Sequence, residues 1–178
     1  MAKPTLTTSD IRHDIAARLA VLPGVSVYDS RVIDADVDEL PAVTVRTASG
    51  PETVLSATTL LTRRVDRFHI QGIVKAGSTA TFELALGDTM DALADAIVDV
   101  LFTDGEWRGA FERVALVGEI SREWGKTEAR ALVGEVLITV EVQYSRRPTD
   151  ASESLSALYV LTEPTDPDGA DVSDRRML

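Results

Sequence analysis

The clearest pattern in the chain is an alternation of residue types between Leu132 and Tyr144. Every even-numbered position is apolar or glycine, whereas the odd-numbered positions are apolar near the start and polar toward the end. Because successive side chains of a β-strand point to opposite faces, this pattern predicts a long strand with one buried face and one partly exposed face.

A second run with the same period lies upstream, with apolar residues or glycine at positions 114, 116, 118 and 120. Between the two runs, Gly125 stands among charged residues in a position suited to a turn. The two runs are therefore predicted to form a long β-hairpin from about residue 111 to residue 144. Strands of this length exceed the usual 5–6 residues or so.

Two stretches have the apolar spacing of amphipathic helices. The first has apolar residues at positions 11, 15, 19 and 22, can be capped by Ser9 or Asp10, and ends at Pro23 and Gly24. The second has its apolar stripe at positions 86, 90, 93, 97 and 101, behind capping residues at 78–81. Gly87 weakens the first turn of this helix, so its start could fall as late as Asp88.

The second helix also carries aspartates at positions 88, 91, 95 and 99. This spacing places them along one side of the helix, where they form an acidic ridge. Such a ridge either adds solubility alone or complements a basic surface on a partner.

Three further strands are predicted, at residues 25–28, at 42–46 and, as a longer alternation, at 60–76. Helices do not alternate with every strand, so the predicted class is α+β. We expect an antiparallel or mixed β-sheet with a long β-hairpin and two helices packed on one face. His69 falls on the polar side of the longest of these strands and His13 on the polar side of the first helix, so neither is expected to act in catalysis.

Composition narrows the possible partners. The formal net charge of −11 argues against nucleic acid as the main partner, although DNA could still pass through an assembly without sequence-specific contacts. The 178 residues include no cysteine, which excludes disulfides and cysteine zinc sites. The N-terminal stretch has no apolar core of a signal peptide and no run is long enough to span a membrane, so a cytoplasmic start is expected.

The composition changes near residue 148. Residues 148–178 contain seven acidic residues and two arginines, and their one apolar run lies between Leu155 and Leu161. Such a segment buries too little to fold alone. We therefore predict one α+β domain over residues 1–147 and an acidic C-terminal extension or arm over residues 148–178.

An acidic stretch between Asp29 and Pro41 is the main candidate for chemistry. Counted from Asp34, it has Glu39 and Val45 where a calcium loop needs glycine and a bidentate glutamate, so we expect a solvated loop and no metal site. No catalytic triad, phosphate loop or cofactor motif is visible, and the protein is not expected to be an enzyme. A metal-dependent enzyme that uses the carboxylates from Asp34 to Glu39 is the alternative from a different class.

Trp124 is harder to bury than Trp107, which is expected to close one end of the core. An aromatic residue near a turn is a reasonable anchor for a protein interface. The residues predicted to make contacts with partners lie around this turn, in the acidic loop and in the C-terminal arm: Arg122, Trp124, Lys126, Arg130, Asp34, Asp36, Leu158 and Tyr159.

The order of segments from about Ile11 to Arg147 resembles the tail terminator proteins of long-tailed bacteriophages, which include the minor tail protein U group. The segments that carry the resemblance are Leu22–Tyr28, Glu39–Val45, Phe68–Lys75, Met90–Ile97 and Val140–Tyr144. The resemblance covers about three quarters of the chain and includes no catalytic motif.

This resemblance implies a structural protein of the virion, assembled in the cytoplasm of the host bacterium. Such proteins form a hexameric ring on the completed tail tube, end its polymerisation and contact the head–tail connector or stopper protein. The alternatives are another neck component, such as a head–tail joining, stopper or tail-completion protein, or the equivalent part of a gene transfer agent or contractile injection system.

Overall fold

A computed structural model describes residues 6–30, 39–48, 50–56, 61–75, 82–126 and 132–146. Within these ranges there are three helices, at Thr8–Leu19 (α1), Phe82–Thr103 (α2) and Gly105–Gly109 (α3). The strands are Ser26–Asp29 (β1), Ala42–Ala48 (β2), Glu52–Ser56 (β3), Leu61–Lys75 (β4), Arg113–Leu116 (β5), Ser121–Lys126 (β6) and Leu132–Arg146 (β7).

The seven described strands form one mixed sheet in the order β1-β2-β4-β7-β5. Strand β3 extends the sheet along β4, and β6 extends it along β7. Only β1 and β2 are parallel among these pairs, and the fifteen-residue strands β4 and β7 run antiparallel through the centre. The helices pack against this sheet, which confirms the predicted α+β class.

The period-two pattern of β7 defines the buried face of the sheet. Gly134, Val136, Ile138 and Val140 continue to Tyr144 as a buried row, opposite the buried even-numbered residues of β4. All five predicted apolar positions of α2 are also buried, as are those of α1. Both helices therefore lie on the same face of the sheet, as the sequence predicted.

Glycines let α2 approach the sheet closely. A Cβ atom added at Gly134 would lie 2.1 Å from the sulfur of Met90, and one added at Gly72 would lie 2.8 Å from a methyl group of Leu93. Both separations are too short for real contacts. The two glycines therefore form depressions in the central strands that the side chains of Met90 and Leu93 fill.

The helix starts differ in detail from the expectation. The N-cap of α1 is Thr7 rather than Ser9 or Asp10, and Thr7 and Asp10 form a reciprocal capping box. Helix α2 begins at Phe82, at the early end of the expected range, so Gly87 lies inside the helix and does not delay it.

The predicted hairpin is interrupted on one side. Its upstream half is two strands, β5 and β6, which both pair with β7. Leu116 pairs with Val140, and Ser121 pairs with Leu137. The four residues that connect β5 to β6 therefore lie opposite only two residues of β7, which interrupts the regular pairing. One of the four, Gly118, has a positive φ of 76°. The placement of Gly125 in a turn was wrong, because it lies in β6 opposite Val133.

A buried polar cluster fixes the start of α1 to the sheet. The carboxylate of Asp66 in β4 is fully buried and accepts hydrogen bonds from Thr8 at 2.7 Å and from the hydroxyl of Tyr144 at 2.8 Å. Its second oxygen accepts from Nε of Arg64 at 2.8 Å. Three donors offset the desolvation of this buried charge, since each lies within hydrogen-bonding distance.

Candidate contact surfaces

Trp124 lies within β6 on the helix-covered side of the sheet and not in a turn, two residues before the strand ends at Lys126. A Cβ atom added at Gly87 of α2 would lie 3.5 Å from the indole ring. The ring therefore packs over this glycine with one edge in solvent, and 52% of the residue remains exposed. Trp124 is thus both a packing contact between β6 and α2 and an exposed aromatic surface.

Arg122 supports the same contact two residues earlier. Its Nε donates a hydrogen bond of 2.6 Å to Asp91 of α2, and both side chains are largely exposed. An exposed ion pair of this kind contributes at most about 1 kcal/mol. The pair therefore guides the position of β6 beside α2 more than it stabilises the fold.

The acidic ridge of α2, formed by Asp88, Asp91, Asp95 and Asp99, lies on the outer side of the helix layer. All four residues are exposed, and Asp91 is engaged by Arg122. Within the described part of the chain, Asp88, Asp95 and Asp99 form no ion pair. Like charges at this helical spacing repel one another by a few tenths of a kcal/mol or so per pair.

The opposite face of the sheet carries arginines at alternate positions of adjacent strands. We call this surface the basic face and define it by Arg46 in β2, Arg63 and Arg67 in β4, and Arg113 in β5. Their strand positions put them on the side away from the helices, because the intervening residues of β4 and β7 are buried in the core.

Two acidic residues partly neutralise the basic face. Arg67 contacts Glu141 at 3.2 Å, and Arg63 contacts Glu112 at 2.9 Å. Hydrogen bonds from Ser145 and from Gln143, together with Arg63, lower the pKa of Glu112 and keep it charged. Four guanidinium groups against two carboxylates leave this surface positive.

The other two arginines of the basic face, Arg113 and Arg46, have fewer partners among the described residues. Arg113 is exposed and forms no ion pair with any described residue. Nε of Arg46 is buried and has no hydrogen-bond partner among the described residues, and the same holds for the hydroxyl of the fully buried neighbour Thr44. Both of these atoms are buried, so among the arginines of the basic face it is the exposed Arg113 that is open to a further acceptor.

The other predicted site residues are placed only in part. Lys126 ends β6 opposite Leu132 in the sheet. The remaining five predicted contact residues lie outside the described ranges: Arg130, Asp34, Asp36, Leu158 and Tyr159. The C-terminal arm also lies outside them, so its boundary at residue 148 stays a prediction.

The predictions for Trp107 and the histidines can be compared with the structure. Trp107 is 3% exposed and closes the end of the core, with the guanidinium of Arg18 over its ring at 5.3 Å. His69 is exposed on the basic face, and His13 lies 3.2 Å from Asp29 at the surface. The described residues contain no group of three or more potential ligands that could hold a metal ion.

The basic face was missed at the sequence level. Its one signal is the alternation of Arg63, Arg67 and His69 along β4. That row becomes a surface only when Arg46 and Arg113 are placed beside it, and this depends on the pairing of β2 with β4 and of β5 with β7. Strand register cannot be read from one strand alone.

None of the described helices is both long enough and apolar enough to cross a membrane. A comparison of the chain with models of known protein families found no match. A comparison with curated proteins found no significant similarity either.

Proposed function

We propose that the protein is a structural component of a phage-type tail that caps the completed tail tube as a hexameric ring. In this role it ends tube polymerisation, presents a surface to the head–tail connector or stopper protein, and becomes part of the tail or neck of the virion. DNA passes through the ring without sequence-specific contacts.

The observation that carries the proposal is the one-sided packing of a large sheet. The long strands β4 and β7 bury one row of residues under α1 and α2, and their other row is a partly exposed surface of charged, polar and apolar residues. In the described part of the chain, β6 pairs only with β7, and it carries the half-exposed Trp124. A sheet with an unpaired edge and an aromatic residue beside it is suited to contacts between subunits.

The resemblance of the sequence to tail terminator proteins supports a phage tail as the assembly in which this protein takes part. The segments that carry it coincide with β1, β2, β4, the middle of α2 and the end of β7. They therefore include the second half of β4, the later part of β7 and the middle of the helix that covers these strands. These elements set the relative position of the two charged layers and of Trp124.

The test is to add the purified protein to its cognate tail tube protein during polymerisation. We expect shorter tubes in negative-stain electron micrographs, with a ring at one end of each tube. Tube protein alone, and tube protein with an unrelated acidic protein of similar size, are the controls. Unchanged tube lengths and bare tube ends would contradict the proposed function. Neighbouring genes for a tail tube protein and a tape measure protein would support it independently.

A further inference from the structure

The charges of this protein are divided between its two layers. Helix α2 has five acidic residues and no basic one, while the charges within α1 and within α3 cancel. On the side of the sheet away from the helices, the described strands carry five basic residues and three acidic ones: Arg46, Arg63, Arg67, Lys75 and Arg113, and Glu123, Glu135 and Glu141. The helix layer is therefore negative, while the outer side of the sheet has a small excess of positive charge that is concentrated on the basic face, although the whole chain has a net charge of −11.

The acidic ridge and the basic face have similar dimensions. From Asp88 to Asp99 the ridge rises by about 16 Å, at roughly 1.5 Å per helical residue. From Arg63 to His69 the basic face extends for about 20 Å along β4, at roughly 3.3 Å per residue. Its arginines are spread over strands β2, β4 and β5, with β7 between the last two. A helix about 10 Å wide can lie across this width.

The two surfaces cannot meet within one molecule, because the sheet and its core separate them. We infer that the acidic ridge of one copy docks on the basic face of a second copy. This inference builds on the proposed function, since it names the contact through which the ring would close. The two surfaces differ, so the contact is head-to-tail and every copy has one of each to offer.

Trp124 adds a specific anchor to this contact. It lies over Gly87, next to Asp88 at one end of the acidic ridge, and half of it is exposed. An arginine of the basic face can stack on this indole ring while its neighbours pair with the aspartates. Exposed charges mainly speed the encounter of two copies and fix their relative orientation. A half-buried aromatic residue at the contact adds binding free energy.

The experiment uses two charge-reversed variants of the full chain. The helix variant is Asp95→Arg with Asp99→Arg, and the sheet variant is Arg67→Glu with Arg113→Glu. In the helix variant the ridge keeps Asp88 and Asp91 beside two new arginines and has no net negative charge, and in the sheet variant the basic face becomes negative like the ridge. The attraction between the two surfaces is lost in either case, so we expect self-association, measured by analytical ultracentrifugation, to weaken roughly tenfold or more. The wild-type association is expected to weaken between about 50 and 500 mM salt.

Mixing the two variants is the decisive step. In the mixture two kinds of contact alternate: the modified helix of one variant on the modified sheet of the other, and the original acidic ridge on the original basic face. The changed positions have opposite charges in the first contact and the second is the wild-type contact, so an equimolar mixture is expected to regain most of the wild-type association. A matched control is Glu106→Arg with Glu119→Arg, which changes the net charge as the helix variant does but lies outside both surfaces. This control should associate like the wild type. Urea unfolding of each variant checks that the fold is retained.

Three results would overturn the inference. A wild-type chain that stays monomeric at low salt and high concentration would do so, as would variants that associate as well as the wild type. Loss of association without recovery in the mixture would assign the basic face to another acidic partner. Residues 148–178, with their seven acidic residues, are the candidate within this chain.

The outcomes also separate this inference from the proposed function. Rings that form on tube ends despite both charge reversals would contradict the docking surfaces and leave the terminator role supported. Association that follows the charges, combined with no effect on tube length, would support the docking surfaces and contradict the terminator role.

Discussion

Replacing Tyr144 by Phe tests the buried cluster that joins α1 to the sheet. Tyr144 is 3% exposed, and its hydroxyl donates to the carboxylate of Asp66 at 2.8 Å. The substitution keeps the ring but removes one of three donors to a buried charge. A hydrogen bond to a charged group contributes about 1.5–3 kcal/mol, so Tyr144→Phe is expected to lower the free energy of unfolding by this amount near neutral pH.

The same substitution should change how stability depends on pH. Burial, together with the charge of Asp66, raises the pKa of Tyr144 to about 12. In the unfolded chain the tyrosine ionises near pH 10, so ionisation favours the unfolded state between these two values. The difference in free energy of unfolding between the wild type and Tyr144→Phe is therefore fully present below about pH 10. It should be about 1.4 kcal/mol smaller at pH 11.

Urea unfolding at about pH 8, 9, 10 and 11 measures both effects. Thr8→Val is the matched control, because it removes another donor to Asp66 at 2.7 Å and keeps the hydroxyl of Tyr144 in place, buried and beside the same carboxylate. Its deficit relative to the wild type should stay nearly constant across this range. The reasoning is refuted if Tyr144→Phe is as stable as the wild type, or if its deficit does not shrink as the pH rises.

Three other substitutions test the packing of α2 and β6. Leu93→Ala should cost roughly 2–5 kcal/mol in unfolding free energy, because this buried side chain fills the depression at Gly72; a loss below about 1 kcal/mol would contradict the packing. Gly134→Ala should lower the melting temperature, since its Cβ would lie 2.1 Å from the sulfur of Met90, and an unchanged temperature would show that α2 can move away. Trp124→Ala should lower the free energy of unfolding by about 1–2 kcal/mol, because about half of this residue is buried. It should also weaken self-association more than tenfold. Normal association in sedimentation experiments would show that Trp124 is not part of the interface.

The elements with a strong period could be predicted from the sequence. Helix α2 and strand β7 each place five or more apolar positions on one face, and burial fixes that face whatever the neighbours are. The five-residue strand β3 was missed, as was the short helix α3, because neither is long enough to establish a period. The break between β5 and β6 was hidden, since Gly118 and Ile120 continue the alternation through the connection.

The position of Trp124 shows why the contact surface was harder to predict than the fold. The charged residues around it suggested a solvated turn, but in β6 alternate residues point to opposite faces, and Trp124 and Arg122 share the face that meets α2. In the sequence, Gly87 indicated only a weaker helix. In the structure, its missing side chain leaves the space that the indole ring of Trp124 covers. Pairs of this kind join distant parts of the chain, so no local pattern reveals them.

Composition alone also gave an incomplete account of the charge. A net charge of −11 suggests a uniformly acidic surface that would keep copies apart. The fold divides this charge, because the helical period gathers the aspartates of α2 on one outer side, while strand pairing brings arginines from β2, β4 and β5 together on the other. Two opposite surfaces on the two sides of a single sheet cannot neutralise each other within the molecule. Between copies they can, so a chain that is acidic as a whole can still associate head-to-tail through its charges.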